Sequence, residues 1–570
     1  MKNTQKRNVL TILGYIVILL ISSNYYLTIS FDSFFLENAK FDIYSLTTND
    51  YWNLMGTPIS IDDTISNKNW SYTADNYDWC SGSGTWNDPY IIENVTINGQ
   101  NTNTCIEIKN SNAYFIIRNC TLYNSSSDYQ HAAIKLDHVN NGKVINNTCL
   151  YNYYSGIFLL SSDNNSILEN NAHYNEKGIH SFFSDNNTIS GNIANNNEIA
   201  ISIYFSDIHY VRGNIANNCA TGIYLHAANA NTLLDNVLNN HKIAISFNGD
   251  NYDNYASGNL MDLCSIDIAG DLIEEYSTNT IDSTNLVNNK PVYDYINVEA
   301  LTPDEFINAG QVILINCSHS IISGVNTSLG TLGISLFFSD YNEISNNFAS
   351  NNSDYGIYLH ESNNNYIFNN TANNNTNRGI VLGNSNHSII KENIANGNGY
   401  FGITLAYSQN NTLMQNTGNY NQDSGIEIYY SNNNTINDNM VTRNNNGIYL
   451  SGSSNNLITE NTANYNSGHG ICMFGCDFNY ISGNIANINS YGVYLYSSDN
   501  NTITFNTLYR NSIDCIRELD CIGNIIEHNQ CAPVEIIPNI PGYTLYVLLL
   551  SLMGLIFPII VKTRKIIEFQ

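Results

Sequence analysis

The sequence predicts an all-β fold, a right-handed parallel β-helix built as a single-stranded solenoid of 22–23-residue coils, with a hydrophobic helix at each end. Three observations predict it. The first is self-similarity: setting position 0 at the small residue that opens each G-I-x-L block gives Gly156, Gly178, Ala200, Gly222 and Ala244, spaced by 22. A second series, Gly333, Gly356, Gly379, Gly402, Gly425, Gly447, Gly470 and Gly492, is spaced by 22 or 23. Periods in this range mark stacked supersecondary units. The second observation is composition: 102 of the 570 residues are Asn, about 18%, while only 12% are charged. Asn competes for backbone hydrogen bonds and disfavours helix interiors. Disorder is excluded as well, because 43% hydrophobic and 12% aromatic content can bury a core. The third is punctuation: no Pro lies between Pro89 and Pro291 or between Pro303 and Pro533, as a ladder needing its amide donors requires.

The elements follow in order. Residues 1–31 read as a signal peptide or N-terminal anchor, with Lys6 and Arg7 ahead of an apolar run from Val9 to Ile21 and no small-residue cleavage site after it. Residues 32–85 form an N-terminal cap region, and residues 86–532 the solenoid. Position +1 is aliphatic in all twelve readable blocks, from Ile157 to Val493, and so is +11, from Ile167 to Ile503. Such spacing fits short strands with alternate residues inward. Position +14 is Asn in all twelve, from Asn170 to Asn506. An amide both donates and accepts, so Asn residues stacked at a turn bond along the axis, each net bond contributing about 1 kcal/mol. The Asn excess is assigned to turn ladders at +8, +9, +14 and +17. Residues 247–310 are expected to be irregular coils, with a surface excursion around 297–309, inside one continuous solenoid of roughly 17 to 20 coils.

Residues 533–542, with Pro538, Pro541 and Gly542, form a linker. Residues 543–561 are nineteen residues without a charge, spanning roughly 28 Å as a transmembrane helix. The basic tail at 562–570 carries Lys562, Arg564 and Lys565, which directs the C-terminus to the cytoplasm and the bulk of the chain outside, at the cell membrane. Residues 32–542 hold 15 basic against 48 acidic side chains, a net of −33, and such a body excludes nucleic acid as a partner. Twelve cysteines in an exported chain allow disulfides, and Cys472/Cys476 and Cys515/Cys521/Cys531 gather where an end cap is useful.

Particular phrases connect the chain to known repeats. They are Gly84-Thr-Trp-Asn-Asp-Pro-Tyr-Ile-Ile-Glu-Asn94, Asn289-Lys-Pro-Val-Tyr293, Gly310-Gln-Val-Ile-Leu-Ile-Asn-Cys317 and the recurrent G-I-Y-L-x-x-S-x-N-N-x-I-x-x-N. Over about residues 85–530 the chain resembles NosD-like β-helix repeats, which overlap carbohydrate-binding and sugar-hydrolase modules of the pectin-lyase-like superfamily. The resemblance implies the fold, and it implies a setting among metalloenzyme maturation factors or among surface proteins, many of them archaeal. It does not by itself fix a function.

Lyases and epimerases need a base beside a charge-neutralising group, and hydrolases need paired carboxylates. Gly468-His469-Gly470 resembles a hydrolase signature, but Gly470 is the repeat glycine and the companion motifs are missing, so no catalytic residue is assigned. Position +7 stacks Asp163, Asp185 and Asp207 in successive coils, about 5 Å apart, where calcium would relieve their repulsion. Asn and Asp interchange along that column, which favours a turn-capping ladder instead. Outward position +2 carries Tyr224, Tyr358, Tyr449 and Tyr494, flat faces on which the sugars of a polysaccharide or surface glycan can stack. His226 and His360 share +4 but lie in non-adjacent coils and do not build a copper site. Some sixteen N-x-S/T sequons occur, Asn94, Asn186 and Asn433 among them, and any inside a ladder would be inaccessible.

The leading reading is a membrane-anchored cell-surface protein, structural, adhesive or glycan-binding and non-catalytic. The alternative is an extracellular polysaccharide lyase, epimerase or hydrolase whose site lies on the irregular stretch 247–310, where Asp262, Asp267, Asp271, Glu274 and Glu275 concentrate acids. A further alternative is a NosD-like copper or metalloenzyme maturation factor.

Overall fold

The computed structural model describes residues 52–126 and 128–532. The two expected apolar helices, at 1–31 and 543–561, the linker at 533–542 and the basic tail lie outside the described residues. Among the described residues no helix is long and apolar enough to cross a membrane. The body is an all-β right-handed parallel solenoid of about 19 turns. A regular coil holds up to three short strands, as in Ser155–Leu160, Ser166–Leu168 and Asn171–His173, the third reduced in most coils of the second half to a single bridging residue such as Thr371 or Ile394. Equal positions pair in parallel from coil to coil, Ile157 with Ile179 and Ile167 with Ile189. The aliphatic side chains at +1, +3 and +11 are fully buried, as Ile157, Leu159 and Ile167 illustrate.

The corners account for the asparagine. In every regular coil the residues at +5, +8, +13 and +18 are left-handed, as Ser161, Asn164, Glu169 and Tyr174 are, with φ of 48°, 56°, 53° and 55°. That region costs an ordinary L-residue roughly 1–2 kcal/mol, and Asn or Gly least. Each left-handed residue turns the next one, at +6, +9, +14 or +19, into the core. There Asn165, Asn170 and Asn175 form three amide ladders, with Ser162 heading a hydroxyl ladder at +6. Along the +14 ladder Asn147 donates its backbone N–H to Asn170 Oδ1 at 3.0 Å, and Asn170 Nδ2 donates to Val144 O at 2.8 Å. The ladders expected at +9 and +14 are therefore inward, while +8 and +17 lie outward. The inward ladders at +6 and +19 escaped the sequence reading. The sequon residues Asn186 and Asn433 are left-handed and exposed, and it is their following residues, Asn187 and Asn434, that enter a ladder.

Histidine and cysteine take rungs where an amide is missing. His241 Nδ1 accepts the N–H of Cys219 at 3.1 Å, and Cys219 Sγ accepts the N–H of Asn197 at 3.4 Å. Cys476 and Cys521 likewise sit in the +6 hydroxyl ladder. Cys472 and Cys476 are consequently not partners. The disulfide is Cys515–Cys531, which ties the first strand of the last coil to its third strand. At the opposite end the helix Trp70–Asn76 places the buried Trp70 ring 5.1 Å from Tyr90 and 5.0 Å from Phe115, closing the core.

Residues 247–310 break the column, and the solenoid is two stacks rather than one continuous run. The first-strand sheet of the N-terminal stack ends at Ile266–Ala269. Leu286–Val287 then pairs antiparallel with the start of Lys290–Ile296, from which the next first-strand sheet grows through Gln311–Ile315. Val312 and Leu314 point into the core of the second stack, whereas Ile313, Ile315 and Phe337 on the other face pack into the core of the first. The outward face of the second stack's first coils thus closes the open end of the first. Gln311 pins the seam: its side chain accepts from Ile266 N–H at 3.1 Å and donates to Ile266 O at 2.6 Å.

Candidate aromatic and ionic face

The outward side of the first-strand sheets collects the rings. On an alternating strand +2 and +4 face away from the core, and successive coils bring these positions about 4.8 Å apart. Tyr224 packs against Tyr204, ring centroids 5.2 Å apart, and lies nearly parallel to His226 at 6.4 Å. Tyr449 meets Phe474 at 5.9 Å, and Tyr494 stacks on His469 at 4.7 Å with the planes 10° apart. All three tyrosines are half-buried, leaving one edge or face to solvent. Tyr358 differs: it packs on the seam between the stacks, against Phe337 at 5.9 Å and Tyr355 at 5.4 Å. Tyr358, Tyr449 and Tyr494 therefore share the sheet face of the second stack, Tyr224 stands on the separate sheet of the first, and the four do not converge on one point.

A cleft that no single-column reading could assemble lies on the same face. Arg378 stands on the turn before the strand Ile380–Gly383, and Glu427 on Ser424–Tyr429 two coils later. Arg378 Nη2 lies 3.6 Å from Glu427 Oε2, to which Thr404 Oγ1 also donates at 3.1 Å. The guanidinium rests over Phe401 at 5.1 Å and Tyr355 at 6.0 Å, positions suited to a cation. Its Nε is buried with no hydrogen-bond partner. Val381, Ala406 and Tyr429 complete a cleft of about 300 Å³. Burial pushes the Glu427 carboxyl above its ordinary range, opposed by Arg378 and Thr404. One sequence signal was available: Glu427 is the only acid at +2 among the blocks from Gly333 to Gly492.

The acids Asp163, Asp185 and Asp207 cap turns. Asp163 Oδ1 accepts the backbone N–H of Asp185 at 2.7 Å, and Asp185 Oδ1 that of Asp207 at 2.8 Å. Asn363 Oδ1 makes the same bond to Asn386 at 2.9 Å. One oxygen of Asp163 and of Asp185 is thus committed to a turn that an amide caps equally well. Of the acids near the irregular coils, Asp262 and Asp271 are exposed, Asp267 lies on the outward face, and Glu275 folds back to accept from Asp271 N–H at 2.6 Å. They do not converge. Among the described residues no three of His, Cys, Asp and Glu gather in a metal-holding group.

Residues 87–293 and 417–531 match the family model described as periplasmic copper-binding protein (NosD), and residues 304–457 that of the right handed beta helix region. Among solved structures, the Dettilon tailspike protein aligns at 14% identity over 56% of this chain and 62% of its own, with a TM-score of 0.33. The aligned part thus spans less than two thirds of the tailspike. The periplasmic alginate epimerase AlgG aligns at 12% over 83% of each chain, with a TM-score of 0.23. The A-module of the Azotobacter vinelandii mannuronan C-5 epimerase AlgE4 aligns at 15% over 57% of this chain and 90% of its own, with a TM-score of 0.27. No curated protein matches the chain.

Proposed function

Because the chain belongs to the NosD family of right-handed β-helix proteins, we propose that it binds glycans along the outward face of its first-strand sheets without transforming them. In this reading residues 543–561 anchor it in the cell membrane, the solenoid lies outside and residues 562–570 inside. One observation carries the glycan reading: rings recur along the outward face of each stack's first-strand sheet, the half-buried Tyr204, Tyr224 and His226 in one and the half-buried Tyr449, Phe474 and Tyr494 with the exposed Tyr496 in the other. Rings held by neighbours present flat apolar surface at little entropic cost, the requirement for stacking on pyranose rings.

The copper of the family description finds no fitting donor set among the described residues. His241 uses both ring nitrogens on the backbone, Nδ1 at Cys219 and Nε2 at Ala216 O, 3.1 Å away. Cys219 and Cys264 are neutral rungs, their thiols pushed up by burial to about 11 and about 12. Copper binding by thiolate would require stripping those ladders.

The test is a screen of the purified full chain against neutral and acidic polysaccharides, with products assayed in parallel. Binding without turnover, weakened in Tyr449→Ala/Tyr494→Ala, supports the reading. Absence of binding to every polymer overturns it, and turnover of any polymer replaces it with an enzyme.

A further inference from the structure

The cleft between Arg378 and Glu427 has unused hydrogen-bonding capacity of both signs side by side. Arg378 Nε has no partner, and its Nη2–Glu427 contact at 3.6 Å is longer than a good charged hydrogen bond. Glu427 accepts from Thr404 through Oε2, leaving Oε1 without a hydrogen bond among the described residues. The guanidinium packs on the Phe401 and Tyr355 rings, with Nη1 donating to Tyr355 Oη at 3.5 Å, which leaves Nε as its unpartnered donor. Apolar surface from Val381, Ala406 and the Tyr429 ring flanks the polar pair.

We propose that this cleft is a binding subsite for one uncharged pyranose residue of a glycan, with two adjacent hydroxyls bridging Arg378 and Glu427. The proposal rests on the glycan-binding reading of this face. A hydroxyl both donates and accepts, so a vicinal pair satisfies a guanidinium donor and a carboxylate acceptor together. The C–H face of the same ring lies against Tyr429 and Val381, and about 300 Å³ is at the small end of ligand clefts, suited to one sugar. Charge selects the class. A uronate carboxylate would meet Glu427, with Asp423 close enough to raise that carboxyl further, in a body of net −33. A neutral sugar carries no such penalty.

Calorimetric titration of the full chain with neutral tetrasaccharides of glucose and mannose, and with oligogalacturonate and oligoalginate of equal length, tests this. The expected result is binding of a neutral tetrasaccharide, weakened about tenfold or more in Glu427→Gln, the loss of a charged hydrogen bond. Ala406→Trp occupies the cleft while retaining Arg378 and Glu427, and should abolish the same binding at an unchanged melting temperature. Acidic oligosaccharides bound as tightly as neutral ones overturn the subsite while leaving the glycan reading intact. Neutral binding that survives both variants also overturns it, and no binding of any sugar overturns both.

Discussion

Asn192 Oδ1 accepts two hydrogen bonds from Asn170, the backbone N–H at 2.9 Å and Nδ2 at 3.0 Å, while Asn192 Nδ2 reaches back to Ile167 O at 2.9 Å. One buried amide therefore serves the backbone of two strands and the next rung at once. Asn192→Ala strands these partners in the buried core, where an unsatisfied group costs about 1–3 kcal/mol. Hydrogen exchange should show lost protection in the coils on either side of Asn192, because a solenoid coil contacts only its neighbours. The exposed Asn186→Ala, which loses only a surface bond to Asn164 and left-handed tolerance, should cost about 1 kcal/mol. Equal effects of the two would contradict an inward ladder.

His209 replaces an amide at +9 and makes that rung sensitive to pH. Its Nδ1 accepts the N–H of Asn187 at 3.3 Å, so Nε2 carries the proton facing Ser181 Oγ at 2.7 Å. Burial lowers the imidazole to about 4 from 6.5, so the unfolded chain takes up a proton that the folded chain refuses. The stability this rung contributes is complete above pH 6.5 and is lost as pH falls from 6.5 toward 4, by up to about 3 kcal/mol. His209→Asn restores the amide and should remove that loss. Melting curves at pH 7 and pH 4.5 check it: an equal drop in both proteins would place the acid sensitivity elsewhere.

Asp294 titrates in the opposite sense at the seam between the stacks. It projects from Lys290–Ile296 with Oδ1 buried and unpartnered, and burial raises its carboxyl to about 8 despite a backbone hydrogen bond from Ile281. The folded carboxyl stays neutral where the unfolded one ionises, so stability is complete below pH 3.8 and is lost as pH rises from 3.8 through 8. Asp294→Asn should leave the protein unchanged near pH 4 and raise its melting temperature by a few degrees at pH 8.5. A variant less stable at pH 8.5 would mean that the carboxylate has a partner there.

The repeat was legible because a coil adds the same contacts each time: +1 and +11 are aliphatic and +14 is Asn through twelve blocks, and strands and the +14 ladder follow from those columns. The +19 ladder was hidden in runs such as Asn195-Asn196-Asn197, where composition cannot say which amide turns inward. That choice is made by the left-handed φ of 55° at Asn196, and Cys219 and His241 further disguise the column. The Arg378 cleft was illegible for another reason. Its two ions lie 49 residues apart, two coils apart and at different positions in the repeat, −1 and +2, so reading down any one column never pairs them. The seam between stacks was visible only as lost periodicity, since Gln311 meets Ile266 across the excursion that breaks the register.

The last coil has a neighbour on one side only among the described residues, and Cys515–Cys531 compensates for the missing contacts. Strands Asp514–Leu519, Ile525–Glu527 and Gln530–Ala532 are largely exposed, with Ile522 and Ile525 at 76% and 53%. The bridge spans 16 residues, a loop whose closure restricts the unfolded coil by about 3 kcal/mol in the chain-entropy account. Cys531→Ser should therefore free residues 514–532 to exchange their amide hydrogens rapidly. Nearest-neighbour coupling confines the loss to that coil and the one holding Tyr491–Tyr496, and glycan binding at Arg378, several coils away, should persist. Loss of protection reaching the strand His469–Phe474 or beyond would show that the stack unfolds as one cooperative unit rather than coil by coil.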